Sequence, residues 1–238
     1  MIFCSTPAFP NDIDKLNLLT EEYPPYNYSE NGEAKGIFVD SLDEILKMAG
    51  STLTKKDVQI LPWARGYNLC LKKKNILLFS MVFTKKRKPL FKWVGPVIQS
   101  RIVLHAKKSR RIKVNNSEDM KKYKIGVIID DIGEQILTGL GIPEYTIQSV
   151  SRADSNVKKL VDDRIDLWAY GEATGRWFIK KSGYNAKDFE SVFVLKRGEM
   201  YFAFNKNVPD NVIKKLQDAL DKLKAEGRLQ DIFNKYIR

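Results

Sequence analysis

The 238-residue chain holds one histidine, His105, and two cysteines, Cys4 and Cys70. So few soft ligands, with none at metal-ligand spacing, give no reason to expect a metal centre. One bridge between Cys4 and Cys70 is the most the cysteine content allows, and nothing else in the sequence calls for it. Long apolar runs are also missing: none approaches the roughly 20 residues that cross a bilayer, so a membrane-spanning helix is not expected. The first ten residues lack a basic opening and the apolar length of a complete signal peptide. They read as the stump of one, with Ser5-Thr6-Pro7-Ala8 as the cleavage neighbourhood, or as a foreign leader. Phe3, just before Cys4, is bulkier than lipoprotein processing accepts, so lipid attachment there is not expected. No strong internal repeat is present.

What is present is apolar and basic. A hydrophobic content of 43%, with 11% aromatics, suffices for a real core and two modest lobes. The 41 Lys and Arg exceed the 29 Asp and Glu, for a formal net charge of +12. The excess is scattered in short runs at 72–74, 85–88, 107–113 and 121–124. No aromatic-interleaved RNA motif or helix-turn-helix pattern accompanies them, so they read as solvated faces and a nucleic-acid partner is not expected. Attraction to anionic membrane surfaces is a milder consequence.

Along the chain, Leu16 to Leu19 reads as a short strand opening onto the aromatic, proline-stiffened loop Thr20-Glu21-Glu22-Tyr23-Pro24-Pro25-Tyr26. A Gly36-Ile37-Phe38-Val39-Asp40 segment leads into a helix expected over 41–49, then a strand over 58–61 ending at Pro62-Trp63, then a helix carrying Cys70. The apolar run Ile76 to Phe79 ends in Ser80 and is followed by Thr84-Lys85-Lys86-Arg87. A permanently charged, two-pronged donor after a buried strand suits a carboxylate, although an arginine there also serves as an ordinary solvated charge. Further on, 97–106 is extended, 123–129 is a buried strand, 133–139 opens a helix, 151–163 is an amphipathic helix, and 165–170 is a strand followed by a helix with Trp177. Residues 200–204 alternate as a strand, 211–226 form an amphipathic helix ended by Gly227, and 228–236 form the last helix. This alternation argues for α/β architecture with largely parallel sheets.

The ordered landmarks from Leu16 to the C-terminus resemble the extracellular solute-binding proteins of ABC importers, specifically the family that binds polar amino acids. The resemblance implies a two-lobe periplasmic-binding-protein-like fold, each lobe a mixed, mostly parallel sheet flanked by helices, joined by two extended hinge crossovers. It divides the chain into a discontinuous first lobe, 1–101 plus 200–238, and a second lobe, 102–199. The implied function is capture of a small polar ligand, an amino acid or related carboxylate, by hinge closure. The protein would be a monomer on the periplasmic or extracellular face, partnered by a membrane permease, with no catalysis and no cofactor. Arg87 matches the carboxylate-clamping arginine, Ser80 and Thr84 the hydroxyl-rich strand end, and Val82 a position where only the backbone N–H remains. Tyr23 and Trp63 match the aromatic walls, for which core packing is the alternative. Two departures stand out. The small-hydroxyl turn of the second lobe is replaced by Asp130-Asp131-Ile132-Gly133, where Asp131 would cap a helix yet repel a carboxylate. The acid that grips an α-amino group aligns with Gly171, leaving Glu172 next to it to substitute. Trp168 and Arg65 are further candidates, Arg65 for an acidic ligand or for Asp40. A membrane receptor kinase's sensing domain, and a cyclohexadienyl dehydratase with Glu172 as acid, are the competing classes.

Overall fold

The computed structural model describes residues 12–236, which leaves Cys4 and the N-terminal stretch outside it. Its strands are β1 (Asn17–Thr20), β2 (Tyr28–Glu30), β3 (Glu33–Lys35), β4 (Gln59–Ile60), β5 (Ile76–Val82), β6 (Lys92–Lys107), β7 (Ile125–Ile128), β8 (Ile147–Val150), β9 (Leu167–Gly171) and β10 (Phe189–Phe204). The helices are α1 (Ile37–Met48), α2 (Trp63–Lys72), α3 (Ser117–Met120), α4 (Ile132–Gly139), α5 (Ala153–Val161), α6 (Glu172–Lys181), α7 (Asp210–Ala225) and α8 (Arg228–Tyr236).

Eight strands lie in the order β4-β1-β5-β10-β6-β9-β7-β8. Parallel pairs form the outer part at each end, β4-β1-β5 on one side and β9-β7-β8 on the other, as crossover helices require. Between them run β6 and β10, antiparallel to each other and each 16 residues long. Their N- and C-terminal halves serve different lobes: β5 pairs with β10 from Met200 to Phe204, whereas β9 pairs with β6 from Ile102 to His105. The expected boundaries near 101 and 200 fall inside these two strands, where Arg101 faces Arg197 and Gln99 faces Glu199.

The first lobe is built around β5, buried along its whole length, with Phe38, Phe79 and Phe202 packed at ring-centroid separations of 5.1–6.4 Å. Helix α7 buries Val212, Leu216, Ala219, Leu220 and Leu223 along one stripe. It stops before Gly227, whose φ of 74° supplies the left-handed turn that ends helices. The second lobe has its own smaller core, including Leu104, Val127, Leu137 and Leu167.

The structure departs from the sequence expectations at several boundaries, and it adds α3, β8 and the β2–β3 hairpin. Helix α1 begins at Ile37, four residues before the expected start, and buries Ile37, Phe38 and Val39 in its first turn. Strand β10 extends back to Phe189, well before 200. Helix α6 starts directly at Glu172. The β2–β3 hairpin was not expected, yet its turn is Asn31-Gly32 with φ of 54° and 80°, the pairing that two-residue hairpins favour. Cys70 is buried and its thiol is pushed up to about 12 by desolvation. Among the described residues, no cluster of three or more potential metal ligands occurs, and no helix is long and apolar enough to cross a membrane.

Candidate functional site

The site forms where the loop after β1 meets the second lobe. Ser80, in the middle of β5 at a φ of 64°, donates its hydroxyl proton to the Asn27 side-chain oxygen. Asn27 in turn donates from Nδ2 to the Glu21 carbonyl at 2.6 Å. This relay fixes the loop that carries Glu21, Glu22 and Tyr23. Tyr23 stacks on Tyr26 at 5.5 Å and meets Tyr170 of β9 edge-on at 5.3 Å. Its hydroxyl lies so close to Gly171 that any Cβ there would collide with it. Glycine at the position expected to carry an acid is thus required by the tyrosine opposite.

Arg87 is 1% exposed, which is unusual for an arginine and rules out the solvated-charge reading. Thr84 Oγ1 accepts its backbone N–H at 3.0 Å and shapes the turn that turns the side chain inward. The guanidinium lies 5.4 Å from the Trp63 ring centroid and 5.3 Å from that of Tyr67. Nη1 donates to the Val82 carbonyl at 3.3 Å, Nε to Gln135 Oε1 at 3.2 Å, and Nη2 to the Asp130 carbonyl at 3.5 Å. The last two acceptors belong to the second lobe, so where a clamp for a free carboxylate was expected the structure has a tie between lobes. The Asp130 carbonyl is the focus: it also accepts from Trp63 Nε1 at 3.0 Å and from Gln135 Nε2 at 2.8 Å. Asp130 adopts a φ of 60°, and its own N–H donates to Glu134 at 2.6 Å. Asp131 is buried beside this cluster; desolvation pushes its carboxyl up, with Arg87 opposing. Burial likewise disfavours the charged Arg87, countered by Asp131, Tyr67 and Glu21.

Four expected residues fall elsewhere. Arg65 is exposed on α2, and Asp40 is taken by Lys55, Lys235 and Tyr236. Trp168 is wholly buried between Tyr170 and His105, because β9 lies inside the sheet and turns that residue into the core. Glu172 points to the hinge strands, pairing with Arg101 at 3.1 Å and accepting from Ser191 at 3.0 Å, so it does not stand in for an amine-gripping acid. Val82 is not among the cavity's lining residues and accepts from Arg87 through its carbonyl.

Beside the tie lies a cavity of about 760 Å3 between the lobes. The first lobe contributes Glu21, Glu22, Leu61 and Trp63, and the second Ile128, Arg152, Asp154, Lys158, Tyr170 and Phe178, among others. Of the residues expected from sequence, only Trp63 lines it. Glu21 and Glu22 were within the loop already singled out, adjacent to Tyr23, and that adjacency was the one available signal. The second-lobe lining had none. Replacing Trp63 with alanine should weaken ligand binding by about 1–3 kcal/mol, since it removes a cavity wall and the bond to Asp130 together. Titration calorimetry on folded protein checks this, and undiminished affinity would make Trp63 a packing residue only.

Residues 17–238 match the family model described as bacterial extracellular solute-binding proteins, family 3. A curated protein of Campylobacter jejuni, called a probable histidine-binding protein, is 23% identical over 218 residues, covering 90% of this chain and 81% of its own length. Among solved structures, a histidine kinase sensor domain with similarity to periplasmic binding proteins aligns at a TM-score of 0.83 with 16% identity, covering 95% of this chain and 98% of that one. A substrate-binding protein of an ABC uptake transporter from Streptococcus pneumoniae, solved with bound histidine, aligns at 0.81 with 17% identity, covering 95% and 94%. The structural likenesses establish the shared two-lobe fold.

Proposed function

Because the chain belongs to the bacterial extracellular solute-binding proteins, family 3, we propose that it is the ligand-capturing receptor of an ABC importer and that its ligand is an amino acid. The observation that carries the reading is the cavity, which is walled by both lobes and bordered by a first-lobe tryptophan bonded to a second-lobe carbonyl. A ligand touching both walls favours the closed arrangement over the open one by its differential affinity, which is all that capture by hinge closure needs. Arg87 couples the two lobes beneath the ligand, and Tyr23 sets their spacing. No bond-making chemistry is involved. The protein works outside the cytoplasm and hands its cargo to a membrane permease.

Thermal melting with each of the common amino acids in turn tests this directly. A ligand present at 100 times its Kd should stabilise the protein by about 2.7 kcal/mol, a rise of several degrees. No shift with any amino acid would reject the ligand class. The likeness to a kinase sensor domain supports a second reading, in which the same lobes report a ligand to an attached kinase. The reading frame and its neighbours decide between the two: a permease gene alongside supports transport, a fused or adjacent kinase supports sensing.

A further inference from the structure

Glu21 is an unusual group. It is 8% exposed, it lines the interlobe cavity, and among the described residues its carboxylate has no hydrogen bond and no ion-pair partner within 4 Å. Buried carboxylates are ordinarily paired, since desolvation without a partner is costly. The groups facing it do not resolve this. Asp131 and Glu22 add negative charge, and Arg87 attracts it from a distance while spending its donors on Val82, Gln135 and Asp130. Burial and Asp131 accordingly push the Glu21 carboxyl well above the usual carboxylate range, with Arg87 opposing. Three cations line the cavity and none pairs with Glu21: Arg152 is bonded to Asp154 at 3.1 and 2.7 Å, Lys181 sits over the Trp177 ring at 4.7 Å, and Lys158 makes no ion pair with it. Trp63 and Tyr170 line the same space, and rings of this kind attract cations, as Trp63 already does Arg87 on one side.

We propose that Glu21 is the specificity-determining residue of the cavity, seating a cationic group of the ligand, a guanidinium or side-chain ammonium, between Trp63 and Tyr170. The proposal rests on the reading that the interlobe cavity is the ligand site, and it narrows the ligand to basic amino acids. The cation supplies the partner that the buried carboxylate lacks. A neutral analogue of the same shape leaves it unpaired.

The test is calorimetric titration of the full chain with L-arginine and with L-citrulline, which differ only in the charged end. The unmodified protein should bind arginine at least tenfold more tightly. In Glu21→Gln that preference should fall below threefold, chiefly through weaker arginine binding, whereas Glu21→Asp, which keeps the charge, should retain a clear preference. Melting curves of both variants establish that they are folded. Equal binding of arginine and citrulline by the unmodified protein, or an undiminished preference in folded Glu21→Gln, would overturn the proposal. Agmatine, the same cation without the carboxylate, separates the two levels of inference. If no amino acid binds but agmatine does, and Glu21→Gln abolishes it, the cation seat stands and the amino-acid reading falls. If neither arginine, citrulline nor agmatine binds, the cation seat falls, and the amino-acid reading stands or falls with the melting screen.

Discussion

Trp168→Ala should lower the unfolding free energy by about 3–5 kcal/mol, the cost of emptying a large aromatic from a packed core. Trp168 is 0% exposed, stacks on Tyr170 at 4.8 Å with an interplanar angle of 15°, and packs against His105 at 5.4 Å. Its strand lies between β6 and β7, so no loop can move in to fill the space. Trp168→Phe should cost much less. It keeps an aromatic surface under Tyr170 and removes an indole N–H that has no acceptor in the structure. Urea denaturation gives both values. A loss below 1 kcal/mol for the alanine variant, combined with a large loss of ligand affinity, would return Trp168 to the binding site.

The second large effect is acid sensitivity through His105. Burial lowers its pKa from 6.5 to about 4, despite the Gly171 carbonyl at 3.3 Å and the nearby Glu172, and Arg176 lowers it further. Between those values the unfolded chain holds a proton that the folded chain does not, so stability rises with pH across the window. As pH falls from 6.5 to about 4, roughly 3 kcal/mol is lost, at 1.36 kcal/mol per pKa unit, and nothing further is lost below that. Glu21 and Asp131, whose carboxyls are pushed up, act with the opposite sign, so the whole pH profile does not isolate the histidine. The difference between the protein and a His105→Gln variant does. That difference should shrink steadily from pH 7 to pH 4; a difference independent of pH would mean that His105 titrates normally. The ring has no room to escape its environment, because Gly175 of α6 lies so close that any Cβ there would strike Nε2.

Most of the fold was legible because its elements carry strong one-sided patterns. Strand β5, helices α2 and α7, and the last helix announce themselves by continuous or periodic apolar residues. The first half of β10 did not, since residues from Glu190 to Glu199 are half-buried or exposed on both faces and show no alternation. The start of α1 was obscured for the opposite reason: Ile37, Phe38 and Val39 are all buried, and the helix follows Gly36 with no side-chain cap, so its opening reads as a strand. In the site, Trp63 was legible as an aromatic at the end of a strand, and Arg87 as an arginine after another. The direction each donor takes was not. That depends on the Asp130 carbonyl, displaced by a positive φ some 43 residues downstream, which no local pattern encodes. Glu172 misled for a similar reason. Its chemistry suits an amine, but Arg101 and Ser191 on the hinge strands reach it.

The shared ladder of β6 and β10 also dictates an order of assembly during synthesis. Strand β5 has β1 on one side and β10 on the other, and β10 pairs with it only through residues 200–204. Helices α7 and α8, which cover the first lobe, come later still. The second lobe has every strand it needs once Phe189 to Lys196 have been made. A ribosome therefore releases a chain whose middle can fold while its beginning waits, with β1, β4 and β5 holding an unpaired edge for more than a hundred residues of elongation. The half-finished first lobe, and not the second, is the part whose strand edge stays open longest during synthesis.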